Sequence, residues 1–284
     1  MATKIIVDST CDLTKDICEK NDITILPLHV LLGENEYKDG VDITIDEIYA
    51  WADKNGDTPK TSAPALSDAI NLFKEYKDSY DDFVCLSISS SMSSSFNVFH
   101  MAALELDILD RVYLVDSMNL SNGVGLLALE ASDLAKEGKS GQEIQDALFK
   151  IVSRVRTSFI VDTLEYLHRG GRCSGAAALM SGTLKIHPKI VVENGEMKVS
   201  KKYRGVMNKV ILHYLKDHEE SLLKSDKKRL FLVNSGVEES ILKDAKEYIT
   251  SLNRFDEIIE DRAGAVISSH CGPGTLGIVF VEGE

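Results

Sequence analysis

The sequence predicts an α/β protein of two domains, a parallel, doubly wound α/β domain followed by a mixed α+β domain. Three times an apolar strand ends in Asp-Ser or Asp-Thr and leads into a helical pattern, at Asp8-Ser9, Asp116-Ser117 and Asp162-Thr163. Strands that alternate with helices are typical of a parallel sheet covered on both faces. Ligands of such sheets bind beyond the carboxyl ends of the strands, although each of these pairs is also a good helix cap.

The charge of the chain is unevenly divided. The 284 residues carry a net charge of −13, with 44% hydrophobic and 27% charged residues, as in an ordinary globular protein. Residues 1–152 carry 12 Lys+Arg and 27 Asp+Glu, net −15, whereas residues 153–284 carry 20 and 18, net +2. We therefore expect one domain over residues 1–152 and a second over 153–284. The acidic total argues against nucleic acid as the main partner.

Targeting signals and cysteines both favour a cytoplasmic location. Met-Ala-Thr-Lys runs directly into a predicted strand, so we expect no signal peptide, and no apolar run has the length of a bilayer span, so we expect no stable membrane insertion. The cysteines are odd in number and dispersed, which indicates reduced thiols and not a disulfide framework or a zinc site. They are Cys11, Cys18, Cys85, Cys173 and Cys271.

Apolar periodicity predicts most elements of the first half. They are a strand over Lys4–Val7, a helix capped by Asp12 or Thr14, a strand over Ile23–Leu32, a polar loop over Tyr37–Thr44, a helix over Ile45–Asp53, a strand over Arg111–Val115, and two helices separated by Gly138. Two prolines predict a rigid loop over Thr58–Pro64, with Pro64 at the first position of the next helix.

A serine-rich stretch, Ser87–Phe96, lies at the centre of the predicted first domain. The apolar run Phe83–Leu86 before it predicts a buried strand, and the apolar residues from Phe96 to Leu106 recur at helical spacing. The stretch is therefore a turn between a strand and a helix. Hydroxyl groups together with the free N–H groups of a helix start attract a carboxylate or a phosphate. A loop that only caps the helix is the alternative interpretation.

The second half predicts a mixed α+β domain. Asn194-Gly195 is a strong two-residue turn signal and predicts a hairpin between Ile186–Val192 and Glu196–Tyr203. The other predicted elements are a basic, glycine-rich turn over Leu167–Ser174, a small-residue helix over Gly175–Gly182, a helix around Val210–Leu215, a strand over Leu230–Val233, a helix over Ile241–Tyr248, and two last strands that bracket a turn over Ser268–Gly274.

Seven short motifs in this order give the whole chain a resemblance to a known family. They are Asp8-Ser9-Thr10, Thr61-Ser62 before a proline, Ile88-Ser89-Ser90-x-Met92-Ser93, Asp116-Ser117, Arg169-Gly170-Gly171-Arg172, Tyr203-Arg204-Gly205 and His270-Cys271-Gly272-Pro273-Gly274. The set resembles the DegV family of bacterial fatty-acid-binding proteins. The resemblance implies two α/β domains with a long-chain fatty acid in a tunnel between them. It also implies a role of the FakB type, a lipid-binding subunit without a cofactor that offers the fatty acid to a separate ATP-dependent fatty acid kinase in phospholipid metabolism.

The resemblance carries over to individual site residues. Thr61 and Ser93 are similar to the family residues that bind the carboxylate, and His270 is similar to a histidine near the head group. Ser62 and Ser94 adjoin them and complete the predicted ligand-binding set. The chain departs from the family motif Ser-Ser-x-Leu-Ser-Gly-Thr, with Met92 for Leu, Ser94 for Gly and Ser95 for Thr. Ser94 adds a Cβ where glycine has more conformational freedom.

Two arginines are predicted to serve the partner kinase. Arg204 and Arg172 belong to a basic group in the second half that also contains Arg169, Lys201 and Lys202. Arginine binds carboxylate and phosphate groups through two parallel hydrogen bonds. The alternative interpretation is that these basic residues are only solvated on a hairpin and a turn, and we favour this interpretation for the lysines.

Two other functional classes compete with a binding protein that has no catalytic residue of its own. A serine hydrolase acting on acyl esters would use Ser93, His270 and either Asp8 or Asp116, but no G-x-S-x-G nucleophile elbow is present. Nucleotide binding at Gly170-Gly171 lacks both common glycine-rich phosphate motifs. The sequence predicts no metal site and leaves the length of the acyl chain open.

Overall fold

The computed structural model describes residues 2–176 and 186–283, and it places fourteen strands in these ranges. The strands are β1 (Thr3–Asp8), β2 (Ile23–Leu26), β3 (His29–Leu32), β4 (Asn35–Lys38), β5 (Lys60–Ser62), β6 (Asp82–Ser87), β7 (Val112–Asp116), β8 (Val155–Ile160), β9 (Cys173–Ser174), β10 (Ile186–Glu193), β11 (Glu196–Arg204), β12 (Arg229–Ser235), β13 (Glu257–Arg262) and β14 (Thr275–Val281).

Eleven α-helices connect the strands within the same described ranges. They are α1 (Lys15–Lys20), α2 (Ile45–Asn55), α3 (Leu66–Tyr76), α4 (Ser95–Glu105), α5 (Asn122–Lys136), α6 (Gly141–Val152), α7 (Glu165–Gly170), α8 (Met207–Asp217), α9 (Glu219–Lys224), α10 (Glu239–Ser251) and α11 (Ala265–Cys271). Short 3-10 turns cover Ser9–Cys11 and Leu109–Arg111. Most of the small-residue helix predicted over Gly175–Gly182 lies outside the described residues.

The first sheet confirms the parallel, doubly wound prediction. Its strands lie in the order β2-β1-β6-β7, and every neighbouring pair is parallel. Helices α5 and α6 cover the face that carries Ile5, Val7 and Val84, whereas α3 and α4 cover the face that carries Ile6 and Phe83. The chain runs from β1 to β2 on one side and then to β6 on the other. The order therefore reverses between β1 and β6, which is where such sheets hold ligands.

A small antiparallel sheet, in the order β4-β3-β5, differs from the sequence prediction. The strand predicted over Ile23–Leu32 is two strands in two different sheets, because Pro27 has no N–H for a sheet ladder and the chain turns away there. The predicted loops over Tyr37–Thr44 and Thr58–Pro64 contribute β4 and β5 to this sheet. Helix α3 begins at Leu66, so Pro64 precedes the helix and is not its first residue.

The second sheet is mixed, as predicted, and lies in the order β13-β12-β14-β8-β10-β11-β9. The pairs β12–β13 and β9–β11 are parallel, and the others are antiparallel. The predicted hairpin is confirmed: Asn194 (φ 52°) and Gly195 (φ 79°) form the turn between β10 and β11. Two positive φ values are what a two-residue turn of this twist requires.

Two predicted turns in the second half are partly helical. Residues of the basic, glycine-rich turn form the end of α7, and Gly171, in the left-handed region, caps this helix. Ser268–Cys271 belong to α11, which begins at Ala265. The apolar residues at the start of this helix are buried, and the Ala265 N–H donates to the carboxylate of Asp39. Within residues 2–176 and 186–283, no helix has both the length and the apolarity to cross a bilayer.

Helix α5 lies between the two large sheets and joins their cores. One hydrophobic cluster contains Val7 and Leu86 of the parallel sheet, Leu127 of α5, and Phe159 and Val279 of the mixed sheet. This cluster is one continuous apolar layer between the two sheets. Each buried side chain of this size contributes about 1.5–3 kcal/mol to stability, so the layer holds the sheets together.

Candidate functional site

A cavity of about 130 Å³ lies beyond the carboxyl ends of β1 and β6, where the order of the parallel sheet reverses. Three segments that are distant in sequence contribute most of its wall: β5, the serine loop after β6, and α11. The structure brings together in this wall all five predicted ligand-binding residues and one of the two predicted docking arginines. They are Thr61, Ser62, Ser93, Ser94, His270 and Arg172.

Hydrogen bonds to Asp8, Asn119 and Asp116, at or just after the ends of strands, fix the backbone of the serine loop. The Ile88 N–H donates to the Asp8 Oδ2 atom (2.9 Å), and the Ser89 N–H donates to the Asn119 carbonyl (2.8 Å). The Ser90 N–H lies 3.3 Å from both carboxylate oxygens of Asp116. Buried backbone donors need such partners. The Asp residues that end β1 and β7 therefore hold this loop in place.

Ser93 lines the cavity, and its hydroxyl organises the start of α4. Its Oγ accepts a hydrogen bond from the Ser95 N–H (3.3 Å) and lies 3.0 Å from the Ser95 Oγ. Ser94, the residue before the helix, makes no capping bond with its side chain. Its backbone has φ −87°, a value common for residues with a Cβ, so a glycine is not needed there.

Thr61 and His270 form the opposite side of the cavity. The Thr61 Oγ1 lies 2.7 Å from the His270 Nε2, although the two residues are 209 positions apart. Burial, assisted by the charge of Arg172, lowers the pKa of His270 to about 4. The imidazole is therefore neutral near pH 7, and one of its nitrogens carries the proton.

The surroundings of His270 indicate which nitrogen that is. The His270 Nδ1 is buried and has no hydrogen-bond partner among the described residues. A buried N–H without an acceptor is rarer than an unfilled lone pair, so we assign the proton to Nε2. The Nε2–H then donates to Thr61, and the Thr61 hydroxyl proton is left to point into the cavity. A Cβ at Gly170 would lie 2.4 Å from Nδ1, so only glycine lets α7 pack against this ring.

The two predicted docking arginines are in different places. Arg172 lines the cavity and donates from Nη1 to the Gly170 carbonyl (2.7 Å). Arg172, predicted from the sequence only for partner docking, therefore adds a cationic residue to the wall of the cavity. Arg204 is exposed at the end of β11, pairs with Ile186 of β10 and does not line the cavity.

Comparisons with known proteins place the chain in one family over its whole length. A family profile described as "Uncharacterised protein, DegV family" matches residues 2–283. The chain belongs to the DegV family. It is 32% identical to a fatty acid-binding protein of Thermotoga maritima over 98% of this chain and 96% of that protein.

Solved structures of the DegV family share the fold. A DegV family protein of Thermus thermophilus, described by its fatty acid binding, superposes with a TM-score of 0.91 at 29% identity over 99% of this chain and 100% of that one. A fatty acid (stearic acid)-binding protein of Eubacterium ventriosum superposes with a TM-score of 0.84 at 26% identity, over 99% of this chain and 98% of that one. The mixed α/β architecture is thus that of fatty-acid-binding DegV proteins.

The position of α11 in this DegV-family chain depends on two buried aspartates that the sequence analysis did not single out for the site. The Gly264 N–H donates to Asp12 Oδ1 and the Ala265 N–H donates to Asp39 Oδ1, each at 2.8 Å. Burial raises the pKa of both carboxyls. Because α11 carries His270, these two contacts fix the distance between the first-half residues of the site and its histidine.

A second, apolar cavity of about 30 Å³ lies deeper in the DegV-family fold. The two cavities share three wall residues, Leu120, Ile267 and Cys271. The inner cavity then extends between β8, β12 and β14, past Phe159 and Val279. The sequence does not predict the inner cavity, because the strands and helices that line it have the apolar pattern of ordinary core elements.

Proposed function

We propose that this chain binds one long-chain fatty acid, with its carboxylate on Thr61 and Ser93, and presents that carboxylate to a separate ATP-dependent fatty acid kinase for acyl-phosphate formation. The observation that carries the proposal is that Thr61 and Ser93, which are distant in sequence, line one cavity, and that this cavity shares a wall with a second, apolar cavity. A fatty acid has the same division of polar head and apolar tail.

The head-group end supplies donors suited to an anion. Thr61 has its proton free because His270 fills one of its lone pairs, and Arg172 adds a fixed positive charge. A hydrogen bond to a charged group contributes about 1.5–3 kcal/mol. Two hydroxyl donors therefore distinguish a carboxylate from a neutral head group by a factor that a titration resolves easily.

The tail end supplies most of the affinity. Each buried methylene contributes about 0.8 kcal/mol, so a long chain gains on the order of 10 kcal/mol before the cost of association. The two cavities are too small for such a chain as they stand, and the shared wall of Leu120, Ile267 and Cys271 separates them. The acyl chain therefore enters by displacing these side chains, and the wall closes when the ligand leaves.

Hydrogen bonding favours a binding protein over a hydrolase. In the described structure His270 bonds Thr61 and not Ser93, its Nδ1 has no carboxylate partner, and both Asp8 and Asp116 hold backbone N–H groups. A serine nucleophile needs a histidine within hydrogen-bond reach and a third group that orients it.

The exposed Arg204, outside the cavity, suits contact with a kinase and its phosphate.

Titration of delipidated protein with stearate tests the binding function. We expect saturation at about one fatty acid per chain, because Thr61 and Ser93 line the same cavity and so form one head-group site. A folded, delipidated protein that takes up no fatty acid contradicts the proposal. An activated acyl ester serves as the second arm: turnover of the ester that Ser93→Ala abolishes would establish the hydrolase instead, and acyl phosphate formed from ATP by this chain alone would exclude the carrier role.

A further inference from the structure

A third cavity, of about 670 Å³, adjoins the inner cavity where the mixed sheet opens. It shares Thr157 and Ser158 of β8 with the inner cavity, which in turn shares three wall residues with the head-group cavity beside Thr61 and His270. Within residues 2–176 and 186–283, no wall residue is common to the head-group cavity and the third cavity. The inner cavity is therefore the link between them.

The third cavity exists because β8 and β10 separate. Their pairing ends where Ser158 faces Val191, although β8 begins at Val155 and β10 continues to Glu193. The ends of the two strands that do not pair with each other line the cavity. Arg156 and Glu193, which are both exposed, belong to this wall, so the cavity opens to solvent.

The three cavities lie close together along one short segment, residues 118–120. Met118 and Asn119 line the third cavity, and Leu120 lines both the inner and the head-group cavity. Neighbouring Cα atoms are about 3.8 Å apart, so those of Met118 and Leu120 are separated by less than about 8 Å. A stearate chain, with carbon–carbon bonds of about 1.5 Å, is on the order of 20 Å long when extended. A fatty acid whose carboxylate is held at Thr61 and Ser93 is therefore long enough to reach the third cavity.

Lys189 of β10 supplies a cation to this cavity. The side chain is half-buried, and its ammonium group has no ion pair or hydrogen bond with any residue that the structure describes. Burial lowers the pKa of Lys189, and the carboxylates of Asp217 and Glu193 oppose this shift only in part. Asp217 is already paired with a lysine of β11, and Glu193 is exposed to solvent, which screens its charge. An incoming carboxylate is therefore the partner that Lys189 lacks.

An unpartnered hydroxyl lies at the junction between the inner and the third cavity. The Thr157 Oγ1 is buried and has no hydrogen-bond partner within the described ranges. Lys189 pairs with Ile160, three positions after Thr157, and alternate side chains of a strand lie on opposite faces of a sheet. A chain that passes through the gap between β8 and β10 therefore meets Thr157 on one face and Lys189 on the other.

We propose that the third cavity receives the far end of the acyl chain and that this protein binds long-chain α,ω-dicarboxylic acids, with one carboxylate at Thr61 and Ser93 and the other at Lys189. The inference rests on the proposed function, because it concerns the tail of the ligand that the head-group site holds. In a path that ends inside the core, the second carboxylate is buried without a partner, and binding is weaker than that of stearate by at least about a hundredfold. In a path that opens at the third cavity, the same group pairs with Lys189 or stays hydrated.

Displacement of a fluorescent fatty acid from the delipidated wild type gives the Kd of stearate, octadecanedioate and docosanedioate. We expect the tighter of the two dicarboxylates to bind within about tenfold of stearate. Lys189→Met keeps the apolar stem of the side chain and removes its charge. We expect it to raise the Kd of that dicarboxylate, relative to the Kd of stearate, by about 3- to 10-fold, because a half-buried ion pair is partly screened. Lys202→Met makes the same change on β11, outside the cavity wall, and leaves the ratio unchanged.

The wild-type comparison needs no variant, so it holds even if Lys189→Met fails to fold. Dicarboxylates that both bind more than about tenfold more weakly than stearate overturn the proposal and leave the proposed function standing. A Kd ratio that Lys189→Met leaves unchanged, or that Lys202→Met changes equally, overturns the assignment of the second carboxylate to Lys189. A protein that binds neither stearate nor a dicarboxylate contradicts the proposed function itself.

Discussion

Replacement of Thr61 by valine tests the head-group site at a position where a hydrogen bond joins β5 to α11. Valine has the shape of threonine but no hydroxyl, so Thr61→Val removes the donor to the carboxylate and leaves the surrounding wall in place. Loss of a hydrogen bond to a charged group costs about 1.5–3 kcal/mol, which corresponds to roughly a 10- to 150-fold weaker Kd. We expect this loss for stearate and a change of less than about threefold for stearyl alcohol.

The same substitution has a second, separable effect on stability. The His270 Nε2–H now donates to Thr61 at 2.7 Å, and valine leaves this buried donor without an acceptor. An unpaired buried group of this kind costs about 1–3 kcal/mol in the free energy of unfolding. Urea denaturation of the ligand-free protein measures this cost, and Thr61→Ser, which keeps the hydroxyl, restores both stability and stearate binding.

Matched comparisons decide what a loss of affinity means. Thr24→Val makes the same chemical change on β2, outside the cavity wall, and is expected to leave both ligands unaffected. Equal losses of stearate and stearyl alcohol in Thr61→Val would show that the substitution damages the path of the tail. Unchanged stearate binding would refute the assignment of Thr61 to the carboxylate, and with it the assigned His270 tautomer.

Four further substitutions test the remaining parts of the site. Gly170→Ala places a Cβ 2.4 Å from the His270 Nδ1, so the ring must move, and stearate titration should show weaker binding of the acid with little change for the alcohol. His270→Gln should remove much of the acid sensitivity of folding. The pKa of His270 in the folded protein, about 4, lies below its usual value of 6.5, so the wild type loses stability as the pH falls from about 6.5 to 4. Urea denaturation should show a loss of up to about 3 kcal/mol for the wild type over this range and no such loss for the variant. Cys271→Phe fills the wall between the two cavities and should weaken stearate more than octanoate in the same titration; equal losses would place the tail elsewhere. Arg204→Ala should leave stearate binding intact and reduce acyl-phosphate formation with the cognate kinase. The neighbouring Lys202→Ala should change neither stearate binding nor acyl-phosphate formation. An Arg204 variant as active as wild type removes this residue from the mechanism.

The parts of the fold that the sequence predicts are those governed by local periodicity. The strand, serine loop and helix around Ser87–Phe96 follow from the order of apolar and hydroxyl residues, and the hairpin at Asn194-Gly195 follows from backbone conformations that few residues adopt. Membership of the site was predicted from motif resemblance, and Thr61, Ser93 and His270 do line one cavity. Their predicted roles toward a ligand remain predictions.

The parts that escaped prediction depend on contacts between distant segments. Strand β5 has three residues and exists because Val30 of β3 pairs with Thr61, a partner that no local pattern announces. Helix α11 has seven residues, four of them polar or cysteine, and its start depends on carboxylates more than 200 positions away. Short elements have little intrinsic stability of their own, so tertiary contacts decide whether they form.

The first motif of the chain shows how one local sequence serves both halves of the site. Asp8 receives the Ile88 N–H and so fixes the serine loop, while the Ser9 Oγ donates to Asp39 (2.8 Å) and accepts from the Leu28 N–H (3.0 Å). Asp39 in turn holds the first N–H of α11. A strand end with an acceptor and a hydroxyl in succession can therefore set the separation of Ser93 and His270 without touching a ligand. Removal of the Ser9 hydroxyl should loosen α11 and the small sheet together, because both depend on the same oxygen atom through consecutive hydrogen bonds.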